Sequence, residues 1–125
     1  MSTGITLDTG ALIALERRRD RVLRLLRAAA ERRLAVTVPV VVVAEWWRGR
    51  TDARVDMLAA MLVEPMGNDL ARAAGEALAV VRGATTIDAI VMASAARRGD
   101  VVLTSDIDDL TRLAAHFPAA RVLGV

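Results

Sequence analysis

The sequence predicts an α/β fold with a mostly parallel sheet covered by helices on both faces. Short apolar runs such as Ile5-Thr6-Leu7, Ala35–Val38 and Val101–Thr104 have the character of strands buried on both sides. Between them lie longer stretches whose apolar residues recur at the 3.6-residue spacing of helices.

Taken in order, Ile5–Asp8 is strand-like, and Thr9–Arg19 reads as a helix carrying Leu12, Ile13 and Leu15. Asp20 is expected to cap a second helix, in which Val22, Leu25, Leu26 and Ala29 follow the i, i+3, i+4, i+7 pattern. Arg17, Arg21 and Arg24 fall on a different face. After the β-prone Ala35–Val38, Pro39 suits the first turn of a helix running to about Arg48, and Gly49 ends it. Residues 52–62 read as a helix, Val63–Met66 as a short strand, and Asn68 as the cap of a helix ending near Gly83. Thr85 or Thr86 caps the next helix, which stops at Gly99. Val101–Thr104 is a buried-type strand, Asp106–Phe117 a helix and Arg121–Val125 the last strand.

Residues 1–125 are expected to form one domain, a length too short for two. No basic segment followed by an apolar stretch marks a signal peptide, and the longest apolar run, Val38–Ala44, is too short to span a bilayer. A cytoplasmic location with no membrane partner is the expectation. The absence of Cys excludes disulfides, thiolate zinc sites and Cys nucleophiles. Every one of the 17 basic residues is Arg, and the formal charge is only +2. Their distribution says more than the total. Between Glu16 and Arg33 lie eight Arg against three acids, which suits a polyanion or an acidic partner, and equally a solvated helix face.

Four acids stand out: Asp8, Glu45, Asp88 and Asp106. Singly, each has an ordinary structural explanation. Asp8 and Asp106 could cap helices, Asp88 could complete a capping box with Thr85, and Glu45 could pair with Arg48. Together they read differently. Asp8, Glu45 and Asp88 abut the apolar runs Ile5–Leu7, Val40–Ala44 and Ile87–Ala93, where a carboxylate is costly unless paired or bound to metal. With His116 the one histidine, an oxygen-only set selects a hard cation, Mg²⁺ or Mn²⁺. Such a site suits phosphodiester hydrolysis. Phosphate enzymes that need a Lys are excluded, and no Walker or dinucleotide-binding glycine motif is present. A Ser or His mechanism lacks a base near Ser94 or Ser105.

The segments Leu7-Asp8-Thr9-Gly10-Ala11-Leu12, Val43-Ala44-Glu45, Ile87–Ala93 and Val102–Leu110, in that order, resemble the PIN-domain nucleases, and especially the stand-alone bacterial toxins of the VapC type. The resemblance implies a three-layer α/β/α sandwich and an Mg²⁺- or Mn²⁺-dependent endoribonuclease. Its catalytic and metal-binding acids would be Asp8, Glu45, Asp88 and Asp106, with a water activated by the metal leaving 5′-phosphate and 3′-hydroxyl ends. It also implies that Thr104 supports the site through its hydroxyl. A homodimer and a cognate VapB-type antitoxin, joined as a heterotetramer or larger assembly, are implied too. Arg17, Arg21 and Arg24 are candidates to hold the RNA backbone. Asp109 is read as a solvated helix residue, although it could be a fifth acid. Of the adjacent Trp46 and Trp47, which point about 100° apart on a helix, at least one is expected in the core. Two other readings stay open: an RNA-processing PIN nuclease without an antitoxin, and a PIN-like module that binds RNA or protein without cutting.

Overall fold

A computed structural model describes residues 3–125. Its five strands form one sheet in the order β3-β2-β1-β4-β5, with every neighbouring pair parallel. At the centre is β1 (Ile5–Leu7), flanked by β2 (Val36–Pro39) and β4 (Val101–Thr104), with β3 (Leu62–Glu64) and β5 (Arg121–Gly124) at the edges. The helices are α1 (Thr9–Glu16), α2 (Asp20–Glu31), α3 (Val40–Trp46), α4 (Asp52–Ala59), α5 (Asn68–Val80), α6 (Thr86–Arg98) and α7 (Ile107–Ala114). This is the predicted α/β/α arrangement.

The strand order fixes where a site can form. From β1 the chain steps to β2, whereas from β4 it steps the other way to β5. Right-handed crossovers then send the helices that follow β1 and β4 to opposite faces, opening a crevice at the carboxyl ends of these two strands. α1 packs against α2 and α3 in one layer, and α6 against α5 and α7 in the other. Leu7, the last residue of β1, pairs with Leu103, one residue before the end of β4. The Asp8 N–H continues the ladder to the Leu103 carbonyl at 3.3 Å.

Helix boundaries depart from the sequence expectation at several ends: α1 stops at Glu16, not Arg19, α4 at Ala59, not residue 62, and α7 spans Ile107–Ala114, not Asp106–Phe117. Asp20 and Asn68 do not cap their helices: each is the first helical residue, after Arg19 and Gly67. At the first turn Asp20 still favours α2 through the helix dipole. Pro39 closes β2 and precedes α3, where its missing N–H costs nothing to the helix. α3 stops at Trp46 and α5 at Val80, short of Arg48 and Gly83. Thr85, of the two threonines, caps α6, its hydroxyl accepting the Asp88 N–H at 3.1 Å.

The core lies between the sheet and both helical layers, filled by Leu7, Leu12, Val38, Met92, Leu103 and Leu110. Every residue of α6 from Ala89 to Ala95 is buried, as expected of a helix apolar on all sides. At the end of α6 a polar cluster gathers around Arg98, with one Glu64 carboxylate oxygen, Oε1, buried and without a partner. Asp100, only 2% exposed, accepts from Thr6 Oγ1 at 2.8 Å and Arg98 Nε at 2.9 Å. Arg98 also reaches Thr6, Ser94 and Glu64. Among the described residues no helix is long and apolar enough to cross a membrane.

Candidate metal and active centre

Asp8 is the residue where β1 hands over to α1. Its carboxylate caps α1, Oδ1 accepting the Ala11 N–H at 2.8 Å, so the ordinary explanation of this residue holds as far as it goes. It leaves much of the carboxylate unaccounted for. Asp8 is 7% exposed, and no ion pair involves it among the described residues. Burial pushes its pKa up to about 6. Hydrogen bonds from Thr104 and Ala11 pull the other way, and the negative charges of Asp88 and Asp106 push it further up.

Asp88 sits in the first turn of α6, held there by the Thr85 cap and by the buried length of the helix behind it. Its pKa is raised by burial first, against the hydrogen bond to Thr85, and then by Asp109, Asp106 and Glu45. Asp106 follows β4 and leads into α7, but its side chain makes no capping bond. Its pKa is raised chiefly by a hydrogen bond shared with Asp109, with Asp108 adding to the repulsion. The fully buried Thr104 joins the pieces: its Oγ1 accepts the Asp106 N–H at 2.9 Å and lies close enough to Asp8 to stabilise that carboxylate. Glu45 is exposed on α3, and its carboxylate accepts the Thr9 hydroxyl. Arg48 binds the Glu45 backbone carbonyl, not the side chain, so the expected Glu45–Arg48 ion pair is absent among the described residues.

Asp8, Asp88 and Asp106 therefore share one electrostatic neighbourhood, with Glu45 felt through Asp88. Asp109, a solvated helix residue or a fifth acid on sequence grounds, raises the pKa of Asp106 and of Asp88 while its Oδ1 pairs with Arg112 at 2.9 Å. The i+3 spacing from Asp106 was the available signal. Among the described residues no three acidic side chains are placed as ligands of a single ion. The donor chemistry nevertheless fits a hard divalent cation: oxygen ligands alone, one nearly sealed in the core, and mutual repulsion among Asp8, Asp88 and Asp106, none of which pairs with an Arg among the described residues.

The sequence matches the model of the PIN domain family over residues 5–115. This chain belongs to the PIN-domain family. Its fold is similar to that of a chain in the crystal structure of VapBC2 from Rickettsia felis bound to a DNA fragment from its promoter. The TM-score is 0.76 at 14% identity, covering 97% of this chain and 98% of that one. A chain of the DNA-bound VapBC from Salmonella typhimurium matches equally, with TM-score 0.76, 14% identity and 98% of each chain covered. No curated protein matches the sequence.

Two grooves adjoin the acids of this PIN domain. One, of about 610 Å³, runs from Gly10 and Ser105, the neighbours of Thr9 and Asp106, to Arg17, Arg19 and Arg21. Arg24 is exposed on α2 but does not line it. Gly10 is required here, because a Cβ would stand 2.0 Å from Ser105 Oγ and 3.0 Å from Ser105 Cβ. The second groove, about 370 Å³, is lined by Thr9, Ile13, Glu16, Glu45, Trp46, Arg48 and Arg54. Trp46 is the core tryptophan, 3% exposed, its Nε1 donating to Glu16 at 2.9 Å. Trp47 is half-buried and meets Trp46 edge-on.

Proposed function

We propose that this PIN domain is a divalent-metal-dependent endoribonuclease, the VapC-type toxin of a toxin–antitoxin pair. The observation that carries the reading is the uncompensated acidic cluster at the ends of β1 and β4, with the buried Asp8 raised to about 6. The Arg98–Asp100–Glu64 group differs in carrying its own cation, Arg98, bound to both carboxylates. An all-acid cluster instead supports a site whose cation arrives from solution.

Asp8, Asp88 and Asp106, with Glu45 on the opposite helix, would hold Mg²⁺ or Mn²⁺. Such an ion, when bound, neutralises charge at the phosphate and eases removal of a proton from water. Thr104 keeps the Asp8 carboxylate oriented and holds the start of α7 through the Asp106 N–H. Arg17, Arg21 and Arg24 are proposed to bind the sugar–phosphate backbone, with Arg17 and Arg21 lining the groove that takes in Gly10 and Ser105, next in sequence to Thr9 and Asp106. The antitoxin is proposed from the VapBC complexes whose fold this chain shares. A homodimer assembling with a VapB-type protein into a heterotetramer or larger unit, in the cytoplasm, completes the proposal.

The test is cleavage of total RNA in Mn²⁺ by the wild-type chain, Asp8→Asn and Asp88→Asn. Wild type should cut, leaving 5′-phosphate ends, and EDTA should stop it. Each variant should lose at least about a hundredfold in rate, as removal of a central charge-stabilising group does. Undiminished cleavage in EDTA, or by either variant, would refute the reading.

A further inference from the structure

Ile13 is an apolar side chain, 37% exposed, lining hollows that also hold charged residues. It lines the groove of Arg17, Arg19 and Arg21, the cavity beside Glu45, and a third hollow of about 310 Å³ shared with Glu16, Arg17 and Arg54. Ile13 is thus shared by two grooves, one taking in Gly10 and Ser105, the other Thr9 and Glu45.

The two sides differ in charge. The first groove carries three Arg and one acid, Asp20. No ion pair involves those three Arg among the described residues, and Arg21 spends one N–H on the Gly124 carbonyl. The cavity on the other side carries Arg48 and Arg54 against Glu16 and Glu45. Arg54 is consumed there: it pairs with Glu16 at 3.2 Å and gives Nη1 to the Trp47 and Gly49 carbonyls at 2.8 Å. Arg48, like Arg21, gives its Nε to a backbone carbonyl. The two Arg of this cavity are matched by Glu16 and Glu45, so a phosphate is drawn to the first groove, where Arg outnumber acids. The second, bounded by Ile13 and Trp46, suits an uncharged planar group.

We propose that Ile13 is a specificity-determining wedge over which a single-stranded RNA bends. The phosphates on one side of the cut bond lie along Arg17, Arg19 and Arg21. The base on the other side turns into the cavity between Ile13, Glu45 and Trp46, unstacked from its neighbour. Splayed bases are the usual way a protein reads single-stranded RNA, and apolar side chains are used to part stacked bases in DNA. With so few aromatic residues in the chain, an aliphatic ridge takes the place of a stacking platform. The proposal rests on the nuclease reading and adds where the strand runs.

The experiment is fluorescence anisotropy of the full chain in EDTA with a short, labelled, mixed-sequence single-stranded oligoribonucleotide, over a salt series. Ile13→Ala should weaken binding about fivefold to tenfold, because the smaller side chain buries less apolar surface against the base, with the slope of log affinity against log salt unchanged. Ile13→Leu should restore it. Arg17→Ala should flatten that slope by about 0.7, the share of one single-strand phosphate. Binding unaltered in Ile13→Ala, or weakened with a flatter slope, overturns the wedge while leaving the nuclease reading intact. A wild-type chain that binds Mn²⁺ but no RNA at low salt overturns both.

Discussion

Asp8 and Asp100 are both nearly sealed from solvent, yet they are stabilised in opposite ways. Asp100 is held by Arg98 and Thr6, whereas Asp8 has a capping N–H, a threonine hydroxyl and two acidic neighbours. Asp100→Ala leaves the Thr6 hydroxyl and Arg98 Nε without their buried acceptor while Arg98 keeps Glu64, so it should destabilise the fold by about 2 kcal/mol. Asp8→Asn should do the reverse without metal at about pH 7.5, raising stability by up to about 3 kcal/mol, because the amide keeps the cap and drops the costly charge. Urea unfolding of the two variants measures both signs. The four acids were legible in the sequence because each stands beside an apolar run or at a strand end. Asp100 was not, because its meaning depends on Thr6, 94 residues away. Nor was the choice between Trp46 and Trp47, which turns on Glu16 lying across α1 to receive one indole N–H.

Most elements were readable from periodicity, since the strands are short, apolar and buried, and the helices between them are long enough to show their faces. The errors sit at helix ends, where local hydrogen bonds decide. Asp20 and Asn68 look like caps in sequence but lie one residue inside their helices. Glu45 shows the same limit: an Arg three residues on is the right spacing for a pair, but the chain has left α3 by then and Arg48 turns to the backbone. The junction of α1 with the β4–α7 turn is the tightest of these features. Gly10→Ala should cost about 1–3 kcal/mol by overpacking against Ser105. It should also weaken Mn²⁺ binding by moving the first turn of α1 away from Asp106. Adding Ser105→Gly should recover much of the stability, because both of the closest atoms belong to the Ser105 side chain. Thermal unfolding of the single and double variants reads this out.

For the whole molecule, a parallel sheet and its helices place repelling acids at one end of the central strands and leave the fold to tolerate them. Composition could announce the fold class but not the strand order 3-2-1-4-5, on which the crevice depends. The electrostatic cost has a sign that can be measured. Asp8 has a higher pKa folded, about 6, than its ordinary 3.8, so the folded chain holds the proton more tightly between those values. The contribution of Asp8 to stability without metal is therefore greatest below that window and falls as pH rises through it, with Asp88 and Asp106 acting in the same direction. In EDTA the melting temperature should be higher near about pH 5.5 than near about pH 7.5, and Asp8→Asn should flatten the difference. Saturating Mn²⁺ should reverse the trend, because it binds the deprotonated acids.

Calorimetric titration of the metal-free chain with Mn²⁺ tests the central claim most directly. Binding is predicted near about pH 7.5, at least about tenfold weaker near about pH 5 where Asp8 carries its proton, and lost in Asp8→Asn. No heat of binding in the wild-type chain, or equal affinity in Asp8→Asn, would contradict it.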